Sequence, residues 1–181
     1  MSPNNPLCIN VGFLLNQPVG TSRDIPFEEL DQELDLGDDF RVTRFGGNVN
    51  LGRTSQGILV MGKLHASTDL ECVNCLTTSS HDLQAEFSEL YAFSWKSVTE
   101  SELVLPEDAN IDLTLIVRDY LLLDIPISPI CRVDCKGLCP VCGENLNEIN
   151  CGHQAEPDDT QENYPDNSFG KALRNALTGA S

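Results

Sequence analysis

Sulfur is the element most able to do chemistry in this chain. Eight cysteines occur, and nearly all fall into two groups. Cys72 and Cys75 form an isolated C-x-x-C pair, while Cys131, Cys135, Cys139, Cys142 and Cys151 follow closely on one another, with His153 behind them. Zinc takes four soft or borderline ligands in a tetrahedron, and thiolate and imidazole are the usual donors. Two cysteines separated by two residues reach one ion across a tight turn. The stretch Cys139-Pro140-Val141-Cys142-Gly143 has the form of a zinc knuckle, with a glycine where the backbone must turn through positive φ.

The donor count fits two complete sites. One partition joins Cys72, Cys75, Cys131 and Cys135, leaving Cys139, Cys142, Cys151 and His153 as a compact Cys3His set. Other assignments stay open: one zinc with spare thiols, an iron–sulfur cluster, or disulfides. A catalytic zinc needs an open position for water, whereas sets this rich in thiolate point to a structural ion. Cys8 is left over and is expected to be a small buried hydrophobe within a strand. His65 and His81 are expected on solvated surface. No phosphate-binding or dinucleotide glycine motif is present. A thioredoxin-like redox site would need its C-x-x-C to open a helix, and Cys72 and Cys75 lie instead between two strand patterns.

Several elements must position these residues. Ile9, Val11, Phe13 and Leu15 alternate and suggest a first strand. Residues 24–39 carry Asp24, Glu28, Glu29, Asp31, Glu33, Asp35, Asp38 and Asp39, read as an exposed loop with a short helical turn. Gly46-Gly47 reads as a turn. Residues 60–72 alternate cleanly, and Leu83, Ala85, Phe87, Tyr91 and Phe93 repeat the same period, so Cys72 and Cys75 fall near the tip of a hairpin in an antiparallel meander. Residues 96–110 read as a loop. Asp112 then caps a helix that Pro126 stops near Asp124, with Leu115, Tyr120, Leu122 and Leu123 helping to pack it on the sheet. Residues 154–166 read as an acidic linker, and Phe169, Leu173 and Leu177 give the tail a weak amphipathic face.

The formal net charge is −17, which disfavours broad binding to nucleic acid, because phosphates are held mainly by Lys and Arg. Bound zinc does not reverse this, since seven thiolates outweigh two Zn²⁺ ions. An acidic chain suits basic partners such as ribosomal proteins. One local reversal occurs: residues 40–68 contain no acid but hold Arg41, Arg44, Arg53 and Lys63. These form the candidate nucleic-acid surface, against the blander reading of solvated strand faces. No apolar run is long enough to span a membrane and no basic, apolar leader opens the chain, so a cytoplasmic protein is expected.

Two motifs carry a resemblance. Leu70-Glu71-Cys72-Val73-Asn74-Cys75-Leu76 and the run from Leu123-Asp124-Ile125-Pro126 through Cys135-Lys136-Gly137-Leu138-Cys139-Pro140-Val141-Cys142-Gly143-Glu144-Asn145-Leu146-Asn147 resemble the YceD family over roughly residues 8–177. That resemblance implies a metal-binding protein needed for accumulation of large-subunit ribosomal RNA, with no enzymatic activity. The chain departs from the family pattern at Asn74, where arginine is usual, and at Cys151 and His153, where two cysteines are usual. Histidine still ligates zinc, though only as neutral imidazole.

The resulting expectation is an α+β protein: an antiparallel β-meander or partial barrel with one packed helix over residues 1–126, a zinc module over 127–153, and a linker and tail over 154–181. Its expected function is that of a non-catalytic factor in large-subunit biogenesis, holding one or two Zn²⁺ ions. Its partner would be a ribosomal protein or a pre-ribosomal large-subunit particle, with ribosomal RNA also open. No membrane and no small-molecule substrate are expected. A direct nucleic-acid-binding zinc protein, and a thiol redox or metal-dependent enzyme, are the rival readings.

Overall fold

The computed structural model describes residues 5–30, 32–97 and 103–153. The expected acidic linker and amphipathic tail lie outside the described residues. The chain divides into two compact units, Met1–Cys135 and Lys136–Ser181.

The first unit is built on antiparallel strands. In chain order they are β1 (Cys8–Asn10), β2 (Ser22–Leu30), β3 (Leu34–Asp35), β4 (Arg41–Arg53), β5 (Gly57–Glu71), β6 (Thr78–Ala92) and β7 (Asn110–Asp112). The main sheet runs β2-β4-β5-β6, with β3 also on β4, and β1 pairs separately with β7. The sheet is open, and no closed barrel forms among the described residues. Strands β5 and β6 pair in unbroken register from Gly57↔Ala92 to Glu71↔Thr78. The alternation that marks them in sequence places Val60, Leu64, Ala66, Leu83, Ala85 and Phe87 in the core.

Among the described residues two α-helices accompany the sheet, α1 (Gly12–Leu15) and α2 (Thr114–Asp124). Asp112 lies one residue before the helix N-cap and still serves its start, accepting hydrogen bonds from the Thr114 backbone N–H at 2.9 Å and the Thr114 hydroxyl at 2.5 Å. Helix α2 turns Val117 and Leu121 inward. Tyr120 packs on Phe87, ring centroids 5.4 Å apart, and its hydroxyl donates to Glu89 at 3.0 Å. The Phe87 ring crosses Gly62, where an added Cβ would meet it at 2.3 Å; only glycine permits that approach. Asp124, at the helix end, accepts from the Gln84 backbone N–H of β6 at 2.8 Å. The end of α2 is thus pinned to the middle of β6, and the segment after it reaches the hairpin turn, where the Val73 N–H donates to the Pro129 carbonyl.

The structure corrects several expectations. The alternation over residues 9–15 is a short strand followed by helix α1, because the Asn10 side chain accepts the Gly12 backbone N–H at 3.1 Å and turns the chain. The acid-rich stretch 24–39 holds most of strand β2, then β3, and after it a turn over residues 37–39. The acids of β2 and Pro26 face solvent along a sheet edge, while Ile25 and Phe27 pack on the core; charge and proline on an edge strand deter unwanted pairing. Gly46-Gly47 lies inside β4, where the register with β5 shifts between Thr43 and Gly46. Part of the expected 96–110 loop is a bridge from Val104 to Ala92. Leu115, Leu122 and Leu123 do not pack the helix; they are exposed, because helical spacing gives the inward stripe to Val117 and Leu121. Cys8 is exposed rather than buried, its chain neighbours Leu7 and Ile9 taking the inward positions. His81 lies within β6, close to Ser79 Oγ at 3.0 Å, rather than at a turn.

Candidate metal centres

The hairpin turn between β5 and β6 presents Cys72 and Cys75. The Cys72 carbonyl accepts the Leu76 N–H at 2.9 Å, and the Cys72 N–H donates to Thr77 at 3.0 Å. The second C-x-x-C has the same wiring: the Cys139 carbonyl accepts the Gly143 N–H at 2.8 Å, and the Cys139 N–H donates to Glu144 at 2.8 Å. In both turns the residue after the second cysteine is left-handed, Leu76 at φ 59° and Gly143 at φ 76°. The chain therefore builds one knuckle twice, with glycine at the strained position in one copy and leucine in the other.

In the first unit, Cys72, Cys75, Cys131 and Cys135 bring their sulfurs within 4.8 Å of one another. Cys72 Sγ lies 3.8 Å from Cys135 Sγ, and Cys75 Sγ lies 3.6 Å from Cys131 Sγ. A tetrahedral ion with Zn–S near ~2.3 Å sets sulfurs about 3.8 Å apart along each edge, so this donor set fits zinc. The Val73 N–H donates to the Pro129 carbonyl at 2.9 Å, holding the second pair of cysteines beside the knuckle.

In the second unit, Cys139, Cys142, Cys151 and His153 likewise lie within 4.8 Å. His153 faces the cluster through Nδ1, 3.9 Å from Cys139 Sγ. Asparagines shape this module: Asn147 accepts the Lys136 N–H at 2.9 Å, and Asn145 accepts the Asn147 N–H at 3.0 Å. Such side chains form turns by bonding nearby backbone. Apart from Cys139, no large apolar side chain of this module is fully buried among the described residues, so the ligand cluster is its candidate core.

Each cluster favours a first thiolate. The Cys131 backbone N–H directed at Cys72 brings its thiol down to about 6. The amides of Cys142 and Val141 do the same for Cys139, also to about 6. Cys75 is lowered by the Thr77 hydroxyl and amide. Burial, with the neighbouring sulfurs adding to it, pushes Cys131 up to about 12. Backbone donors aimed at sulfur suit sites whose resident is a thiolate. Thr77 and the asparagines were not singled out from the sequence; the parallel with the second knuckle was the available signal.

The expected nucleic-acid residues belong to neither four-donor cluster and are already engaged. Arg41 pairs with Glu33 at 3.0 Å, Arg44 with Asp82 at 2.8 Å and Lys63 with Glu86 at 2.7 Å. Arg53 lies over the Phe93 ring, 4.4 Å from its centroid. The acid-free stretch of sequence is thus matched by acids from neighbouring elements. Exposed pairs are worth only ~0–1 kcal/mol, yet a phosphate approaching Arg41, Arg44 or Lys63 meets a carboxylate too.

An open antiparallel sheet bearing a cysteine knuckle, with a second knuckle in a small cysteine-rich module, defines a protein with two four-donor clusters able to hold metal. Residues 60–173, well over half of the chain, match the family model described as large ribosomal RNA subunit accumulation protein YceD. The chain belongs to this family. It is similar to an uncharacterised protein of Mycobacterium tuberculosis, 38% identical over 96 residues, which covers 51% of this chain and 46% of the relative. An uncharacterised protein of Mycobacterium leprae is 34% identical over 119 residues, 61% of this chain and 55% of the relative. A plant relative, the large ribosomal RNA subunit accumulation protein YCED homolog 1, chloroplastic, of Arabidopsis thaliana, is 46% identical over 46 residues, 25% of this chain and 14% of its own. The chain spans about half the length of the mycobacterial relatives it matches. No solved structure matches it. Among the described residues, no helix is long and apolar enough to cross a membrane.

Proposed function

We propose that this chain is a non-catalytic zinc-binding factor in biogenesis of the large ribosomal subunit, acting in accumulation or processing of its RNA. The observation that carries the reading is the pair of four-donor clusters within a family described by large-subunit ribosomal RNA accumulation. Four protein donors per ion leave no position for water, which supports a structural rather than a catalytic metal. The role then lies in the surface that the ions hold in shape. A net charge of −17 favours a basic ribosomal protein or a pre-ribosomal particle as partner over naked RNA. The same reading sets the protein in the cytoplasm, where a reducing milieu keeps thiols available as ligands.

Depletion of the protein tests this. The ratio of large- to small-subunit ribosomal RNA should fall, and a Cys72→Ser or Cys142→Ser form should fail to restore it. Elemental analysis of protein purified without chelator should find two zincs per chain. An unchanged RNA ratio would refute the ribosomal role; iron, or no metal, would refute the zinc.

A further inference from the structure

Much of the exposed large apolar surface of the first unit gathers around its cysteine cluster. Val73 and Leu76 project from the knuckle, and Leu123, Ile127, Ile130 and Val133 from the segment that docks against it. Ile127 is 101% exposed, Val133 97% and Leu123 80%. The Val73–Pro129 hydrogen bond and the 3.6 Å contact between the sulfurs of Cys75 and Cys131 make the two segments neighbours. Leu76 adds a second observation. It holds a left-handed backbone at φ 59° with 55% of its surface exposed, at the position where the other knuckle has glycine. Strain of this kind persists where the side chain is wanted for something other than folding.

Beside this apolar rim lies a cavity of about 320 Å³, lined by Glu33, Asp39, Asp69, Phe40, Leu70 and Ile125 among others. Three carboxylates stand on its wall against one guanidinium, Arg41, already paired with Glu33. Ile125 belongs to the cavity and lies two residues from Ile127; Leu70 belongs to it and lies two residues from Cys72. Apolar rim and acidic pocket therefore adjoin.

We infer that this surface docks a basic, amphipathic polypeptide segment of a partner protein, its apolar side chains on the rim and a Lys or Arg in the pocket. The inference rests on the function proposed above for its setting and names the surface and the chemistry of the partner. A second copy of the chain would bring its own −17 against the same acids, and phosphates would meet Glu33, Asp39 and Asp69. Basic polypeptide is the occupant whose charge and apolar content both complement the site.

The test uses the full, zinc-loaded chain and fluorescence anisotropy with a labelled synthetic peptide of about sixteen residues, Leu and Arg set at helical spacing. Controls are the same composition scrambled, a Glu-for-Arg peptide, and a single-stranded oligoribonucleotide of equal length. The amphipathic basic peptide should bind, and the controls at least tenfold more weakly. Leu76→Gly and Ile127→Ser should each weaken it at least tenfold without lowering the thermal midpoint. Glu33→Gln combined with Asp69→Asn should weaken it several-fold and flatten its salt dependence. Equal binding by the scrambled peptide, indifference to Leu76→Gly and Ile127→Ser, or tighter binding of the oligoribonucleotide lost in those variants would overturn the inference. So would self-association in sedimentation that the same variants abolish. If the peptide result fails while depletion still lowers large-subunit RNA, the inference falls alone. If depletion changes nothing, the proposed function falls whatever the peptide does.

Discussion

At the scale of single residues, the repeated knuckle separates conformational cost from contact. An added Cβ at Gly143 would meet nothing within 4 Å, so Gly143→Ala should destabilise the module only through its φ of 76°, by about 1 kcal/mol. Leu76→Gly should move the other way, leaving unfolding free energy in denaturant unchanged or raised by up to ~1 kcal/mol. A loss at Leu76 comparable to that of a core leucine would mean its side chain serves the fold after all. Tyr91 gives a pH dependence. Burial, with Asp112 and Glu89 adding to it, pushes its hydroxyl up to about 12 from an ordinary 10.0. The folded state therefore prefers the neutral phenol. Its contribution is fully present below about pH 10 and is lost as the pH rises from there toward 12. Unfolding free energy should fall across that window more steeply in the wild type than in Tyr91→Phe, and the phenolate absorbance of Tyr91 should appear late.

At the scale of elements, helix α2 shows what its sequence announces and what it conceals. Its bounds were legible, since Asp112 and Pro126 punctuate it. Its buried face was not, because leucines occur on several sides and composition alone does not say which stripe meets the sheet. Leu121 is buried and Leu123 exposed. Leu121→Ala should thus cost about 2–5 kcal/mol, and Leu123→Ala no more than about 0.5 kcal/mol; comparable losses in chemical denaturation would reverse that assignment. Strands β5 and β6 were readable because period two runs unbroken through both, and with them the placing of Cys72 and Cys75 at a hairpin turn. Strand β2 was hidden because its run of acids reads as loop while Ile25 and Phe27 quietly keep the alternation. Strand β1 was overextended, since a period-two pattern this short does not distinguish a strand from a strand followed by one helical turn. Donor types and spacing offered this grouping of the ligands as one partition among several, whereas the apolar rim beside them depends on the third dimension.

At the scale of the whole molecule, the two clusters differ in exposure. Cys72 and Cys75 are buried, whereas Cys142 and His153 are open to solvent. With zinc in both, a chelator should remove metal in two phases, the second unit emptying first. Cys142→Ser should delete the fast phase and leave the slow one, as followed by a colorimetric zinc indicator; a single phase from the wild type would contradict the difference in access. The clusters also differ in how much chain they enclose. Cys72 and Cys135 are 63 residues apart, against 14 for Cys139 and His153. Treated as cross-links, loops of those lengths remove denatured-state entropy worth about 4 and about 3 kcal/mol respectively. An ion at the first cluster would therefore close a ring of polypeptide containing all of β6 and α2. While that ring stays closed, even a chain that has lost its sheet keeps the knuckle and the segment after α2 together, much as an internal disulfide tethers a secreted protein that has melted.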